Sequence, residues 1–191
     1  MSYGVMAYLI DTNEFLEMID GRKTKKRNIF NIFGSKTNTK NLIEKEYKDD
    51  FDDLDESIHE TMEYDTEFKN PSLSRVILEE FLNNNIKNSS YGYVYGYVFE
   101  KLCMYKGDFL DNSEWYPCSN ENYYGIPFST YELPVKFPYP DDFPAISYIN
   151  YKNIKLDNAN YEDLDDEQKN RLIDWFDQAT ASKKDIYLFY Y

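Results

Sequence analysis

The chain has 191 residues, with 35 Asp and Glu against 21 Lys and Arg, for a formal net charge of −14. Hydrophobic residues make up 42% and aromatics 18%, enough apolar material to bury a core, which excludes a disordered acidic tail. Seven Gly and seven Pro exclude collagen-like and linker-like compositions, and the negative charge argues against a general nucleic-acid binder because it repels the phosphate backbone.

The N-terminal run Met1–Ile10 has no basic leader region and no small-residue cleavage site. Its apolar stretch stops at Asp11, far short of the roughly 20 residues that cross a bilayer. The expectation is a cytoplasmic protein that does not enter a membrane. Cys103 and Cys118 are too few for a disulfide framework in a chain of this length, and neither sits in a CxxC pattern, so a reduced pair is expected. His59 is the sole histidine, which leaves too few ligands for a Cys/His zinc site. No metal and no cofactor are expected.

Residues 3–10 alternate loosely and are rich in β-formers, which predicts a strand. Asp11 and Glu14 have the spacing of a capping box, predicting a short helix that buries Phe15, Leu16 and Ile19 and ends before Gly21. Residues 22–27 then carry five positive charges in six positions. The apolar cluster Ile29, Phe30, Ile32 and Phe33, closed by Gly34-Ser35, reads as a strand or hairpin arm. Residues 21–40 as a whole read as a basic, mobile insertion.

The clearest periodicity follows. Ile43, Tyr47, Phe51, Leu54, Ile58 and Met62 are spaced 4, 4, 3, 4 and 4, one face of a long helix within residues 40–67. Its other faces are almost all acid: residues 44–67 hold twelve Asp and Glu and two Lys, a local charge of −10. Asn70-Pro71 reads as an N-cap and N1 pair opening a helix that buries Leu73, Val76, Ile77 and Phe81 and stops at Asn83-Asn84-Asn85.

Residues 91–98 repeat Tyr-Gly-Tyr-Val twice. Local propensity favours strand there, but Val94, Val98, Leu102 and Tyr105 fall at helical spacing before Gly107, and helix is the preferred reading. Tyr131, Leu133, Val135 and Phe137 alternate with Glu132, Pro134 and Lys136 as an edge-tolerant strand. Residues 138–144 hold three prolines and read as a rigid loop. A helix from Asp166 to Ser182 should bury Leu172, Ile173, Phe176 and Ala179, and Ile186–Tyr191 should form a strand. With no Pro/Gly/Ser-rich linker, the predicted fold is one α+β domain over residues 1–191. It has a small mixed sheet, including the N- and C-terminal strands, packed with four to five helices.

Several segments carry a resemblance. Tyr93, Tyr97-Val98-Phe99-Glu100-x-Leu102-Cys103 and Gly107-x-x-Leu110-x-Asn112 form one group. Pro138-x-Pro140-x-Asp142-Phe143-Pro144 and Trp175-x-x-x-Ala179, followed by Asp185-Ile186-x-x-Phe189-Tyr190, form another. In order and spacing they are similar to an uncharacterised bacterial family known only as a domain of unknown function. The resemblance implies one intact α/β domain and brings no activity with it.

The chain lacks GxSxG, GxGxxG and GxxxxGK[ST], which removes the common nucleophile and phosphate-loop signatures. Paired carboxylates are abundant in a chain with 35 of them, so pairs arise by chance. Asp141-Asp142 is the most distinctive, because prolines hold it beside Tyr139 and Phe143. It is the candidate acid/base pair of an alternative reading: a hydrolase or transferase acting on a small polar substrate, with Mg²⁺ as an optional ligand. The leading expectation is a non-enzymatic binding protein. Asp49, Asp50, Asp52, Asp53, Asp55 and Glu56 on the acidic helix would face a basic protein partner, with Tyr91 and Tyr95 as aromatic anchors. An immunity or antitoxin protein that blocks a cationic toxin has this profile. Like charges at i,i+4, such as Glu56 and Glu60, weaken a helix. The competing reading is a solvated face, and self-association through the C-terminal strand is compatible with either.

Overall fold

The computed structural model describes residues 4–20, 30–61, 72–87, 90–114, 133–141, 144–154 and 164–191. In chain order these form β1 (Val5–Ile10), α1 (Thr12–Asp20), α2 (Phe30–Glu46), α3 (Lys48–Thr61), α4 (Leu73–Asn83) and α5 (Gly92–Lys106). Then come β2 (Asp108–Phe109), β3 (Ala145–Ile149), a 3-10 turn at Tyr151–Asn153, α6 (Asp166–Ser182) and β4 (Asp185–Tyr190). The fold is α+β, with six α-helices among the described residues. These residues fall into two compact units. One draws on Met1–Thr12, Lys106–Lys136 and Asp142–Tyr191, the other on Asn13–Tyr105 and Phe137–Asp141.

The first unit is built on a four-stranded sheet in the order β2-β1-β4-β3. Every neighbouring pair is antiparallel, so the sheet is not mixed as expected. Its two central strands are the first and last of the chain: Val5 lies opposite Tyr190 and Ile10 opposite Asp185. Reciprocal bonds between Gly4 and Tyr191, at 3.1 and 3.0 Å, extend the pairing by one residue. β4 is a central strand with a neighbour on each side, and all six of its residues are buried, in keeping with the near-absence of polar side chains there.

Val5, Ala7 and Leu9 of β1 and Ile186, Leu188 and Tyr190 of β4 share one sheet face and cluster with Leu172, Trp175, Phe176 and Ala179 of α6. A capping box starts α6: the Asp165 carboxylate accepts from the Gln168 amide at 2.8 Å, and the Gln168 side chain accepts from the Asp165 amide. The helix ends with Lys183 in the left-handed region, φ 57°, which turns the chain directly into β4. Ile173, expected in the core, is exposed, because the Leu172, Phe176 and Ala179 stripe fixes the buried face and Ile173 falls beside it.

The second unit is helical. Ile43 of α2, Phe51 and Ile58 of α3, and Leu73, Ile77 and Phe81 of α4 are buried where these three helices pack together. Within residues 40–61 the predicted 40–67 helix is two helices that meet at Tyr47, and residues 62–67 lie outside the described residues. The hydrogen-bond ladder continues across the junction, from Tyr47 N to Ile43 O at 2.9 Å and from Phe51 N to Tyr47 O at 3.0 Å. Phe30, Ile32 and Phe33 open α2 and are not a strand, and Gly34-Ser35 lie inside that helix. A short apolar run has no period of its own, and the residues after it extend it as helix. Residues 30–40 of the predicted mobile stretch are helical, while residues 21–29 and the predicted Asn70-Pro71 start lie outside the described residues. α4 starts at Leu73 after Ser72 and ends with Asn84 in the left-handed region, as the Asn run predicted.

The Tyr-Gly-Tyr-Val repeat is helical in α5, burying Val94, Tyr95, Val98, Phe99, Leu102 and Cys103. Residues 133–141 contain no strand. Pro134 and Pro138 deny backbone donors to a ladder, and Phe137 instead packs its ring against Phe81, Tyr95 and Phe99, at 5.3, 6.3 and 4.8 Å. This loop lies on the first turn of α5, where a Cβ on Gly92 would stand 2.3 Å from the Tyr139 carbonyl oxygen. Gly92→Ala is therefore expected to push the loop away and destabilise the protein by roughly 1–3 kcal/mol. Urea unfolding followed by circular dichroism measures this, and an unchanged midpoint would contradict the close approach.

Candidate functional site

The acids of α3 divide by their position around the helix. Asp55 is buried, and its carboxylate is fully engaged by the start of α4. Oδ1 accepts from the Ser74 amide at 2.8 Å, and Oδ2 accepts from the Ser74 hydroxyl at 2.9 Å and Arg75 Nη1 at 2.8 Å. The Arg75 guanidinium also bonds to Asp52 and lies over the Phe51 ring, 5.8 Å from its centroid. Asp52 takes a further ion pair from Lys48 one turn earlier. Hydrogen bonds from Lys48 and then Arg75 hold the Asp52 carboxyl below its ordinary pKa. Asp50 pairs with Lys101 of α5 at 2.7 Å, and the same ammonium lies 5.9 Å from the Tyr47 ring centroid. Burial, followed by the neighbouring Glu46 carboxylate, pushes the Tyr47 hydroxyl well above its usual pKa.

Asp49, Asp53 and Glu56 differ from these. All three are exposed, and they follow one another at i, i+4 and i+7 along the outer face of α3. None forms an ion pair with a described residue. Two of the predicted contact residues are thus corrected. Asp55 faces α4 and cannot meet a partner. Tyr95 is fully buried and donates its hydroxyl to the Glu80 carboxylate, which also accepts from the Lys87 amide at 3.0 Å. The Tyr95 ring packs against Phe81 and Phe137, so it is core and not an anchor. Tyr91 is half-buried. Asp141 is exposed, whereas Asp142 lies outside the described residues, as do Cys118 and the His59 side chain. Cys103 is a free buried thiol, and burial pushes its pKa well up.

Sequence reasoning missed a polar cluster at the end of the sheet. Asp185 is buried, and its Oδ2 accepts from the Thr12 and Tyr148 hydroxyls at 2.5 and 2.9 Å, while Oδ1 accepts from the Tyr151 amide at 3.0 Å. Thr12 also bonds to the Tyr187 hydroxyl at 3.1 Å, and the Asn150 amide donates to Tyr148 at 3.2 Å. Three segments distant in sequence meet at one carboxylate. The only local signal was an acid placed at the head of an otherwise apolar strand.

Burial chiefly pushes the Tyr148 hydroxyl up to about 12. The Asn150 contact opposes this, and the Asp185 hydrogen bond adds to it. In the unfolded chain the group ionises near 10, so its stabilising contribution is complete below that pH and is lost as the pH rises toward 12. Tyr148→Phe is expected to flatten the fall of the urea midpoint between those pH values. Identical profiles for the two proteins would overturn this.

Among the described residues, no group of three or more His, Cys, Asp or Glu side chains is placed to hold a metal ion. No described helix is long and apolar enough to cross a membrane. What the fold and site define is an acidic α+β protein whose buried carboxylates serve the interior and whose exposed α3 acids face solvent. The chain belongs to the family described as "Domain of unknown function (DUF7691)", whose model matches residues 1–191. No curated protein and no solved structure matches it.

Proposed function

We propose that the protein is a non-enzymatic binding module of a bacterial cytoplasm that docks a basic protein through the outer face of α3, as an immunity or antitoxin protein neutralises a cationic toxin. One observation carries this reading: the exposed acids Asp49, Asp53 and Glu56 form a single row without an ion pair to any described residue, although Lys48, Arg75 and Lys101 neutralise their neighbours. A row of exposed negative charge attracts a cationic surface over distances near the Debye length and raises the rate of encounter. Tyr91 is the aromatic residue retained from the predicted contact set.

The test is affinity capture from native lysate, treated with nuclease, using wild type and a variant carrying Asp49→Asn, Asp53→Asn and Glu56→Gln. This choice leaves Asp50, Asp52 and Asp55 intact, so loss of binding does not follow from loss of the helix packing they maintain. A stoichiometric basic protein held by wild type and released by the variant is the expected result. Identical capture by both baits, or none by either, would overturn the reading and leave α3 with a solvated face.

A further inference from the structure

We draw no further inference here: the strongest candidate, the half-buried cluster of Thr12, Tyr148, Asn150 and Tyr187 around the Asp185 carboxylate at the end of the sheet, has its hydroxyls and carboxylate engaged with one another and with the Tyr151 amide, and nothing in the structure points to a ligand there.

Discussion

Replacing Asp55 by alanine is expected to destabilise the protein by roughly 3–5 kcal/mol, the usual cost of removing one partner from a buried ion pair. Asp55 is the point where α3 is tied to α4. Its removal strands the buried Ser74 amide, leaves the Ser74 hydroxyl only the long 3.5 Å contact to the Phe51 carbonyl, and takes one of the two carboxylates from Arg75. A buried donor left without an acceptor costs about 1–3 kcal/mol, so the serine amide alone accounts for much of the loss. Asp55→Asn keeps the shape and one carbonyl acceptor, and should lose less. Asp53→Ala, two positions away on the solvent side, should stay within about 0.5 kcal/mol of wild type. Urea unfolding of the three variants checks the order, and a midpoint for Asp55→Ala equal to that of Asp53→Ala would contradict it.

Trp175→Ala should cost about 3–5 kcal/mol through a different mechanism, the cavity left by a large buried ring. Trp175 has no exposed surface and lies in the cluster between α6 and the sheet. Its indole Nε1 donates to the Asp111 carbonyl at 2.9 Å, fixing the segment that follows β2. Trp175→Phe restores most of the volume but leaves that carbonyl unanswered, so it should be milder, at about 1–3 kcal/mol. If Trp175→Phe proves as damaging as Trp175→Ala, the hydrogen bond and not the packing would be the dominant contribution.

Legibility of the fold followed the range of the interactions that make each element. α6 could be read to its ends, Asp166 and Ser182, because the Leu172, Phe176 and Ala179 spacing is a local signal, although the Asp165 capping box that starts it went unread. α5 was legible once helical spacing was weighed above the strand propensity of its tyrosines and valines. By contrast, Ala145–Ile149 went unread as a strand. It is five residues long, follows a proline-rich loop, and is defined by its pairing with Ile186–Tyr190 some forty residues later. The converse error at Leu133–Phe137 had the same origin, since alternation was present but Phe137 found its partners among the aromatic rings of α4 and α5.

The acidic character of α3 was plain in the sequence, but the role of each acid was not. Asp52, Asp53, Asp55 and Glu56 are alike in composition, and only the placement of Ser74, Arg75 and Lys101 separates those that hold helices together from those that face solvent. These cations are between 20 and 51 positions away, beyond the reach of any helical-period argument. Asp55 does lie one position after Leu54 and three before Ile58 on the apolar side, which places it near the buried face. The repulsion expected among acids of the same helix is relieved by cations drawn from α4 and α5.

The most direct measurement is the urea midpoint of the Asp49→Asn, Asp53→Asn, Glu56→Gln protein beside wild type, at pH 7 and low salt. The three exposed acids are not required by the fold, so the midpoint should shift by no more than about 0.5 kcal/mol equivalent. Relief of like-charge repulsion at Asp49 and Asp53 works against the loss of a favourable Asp49 interaction with the helix N-terminus. A destabilisation near that of Asp55→Ala would contradict the account, because these acids would then be holding the protein together and not awaiting a partner.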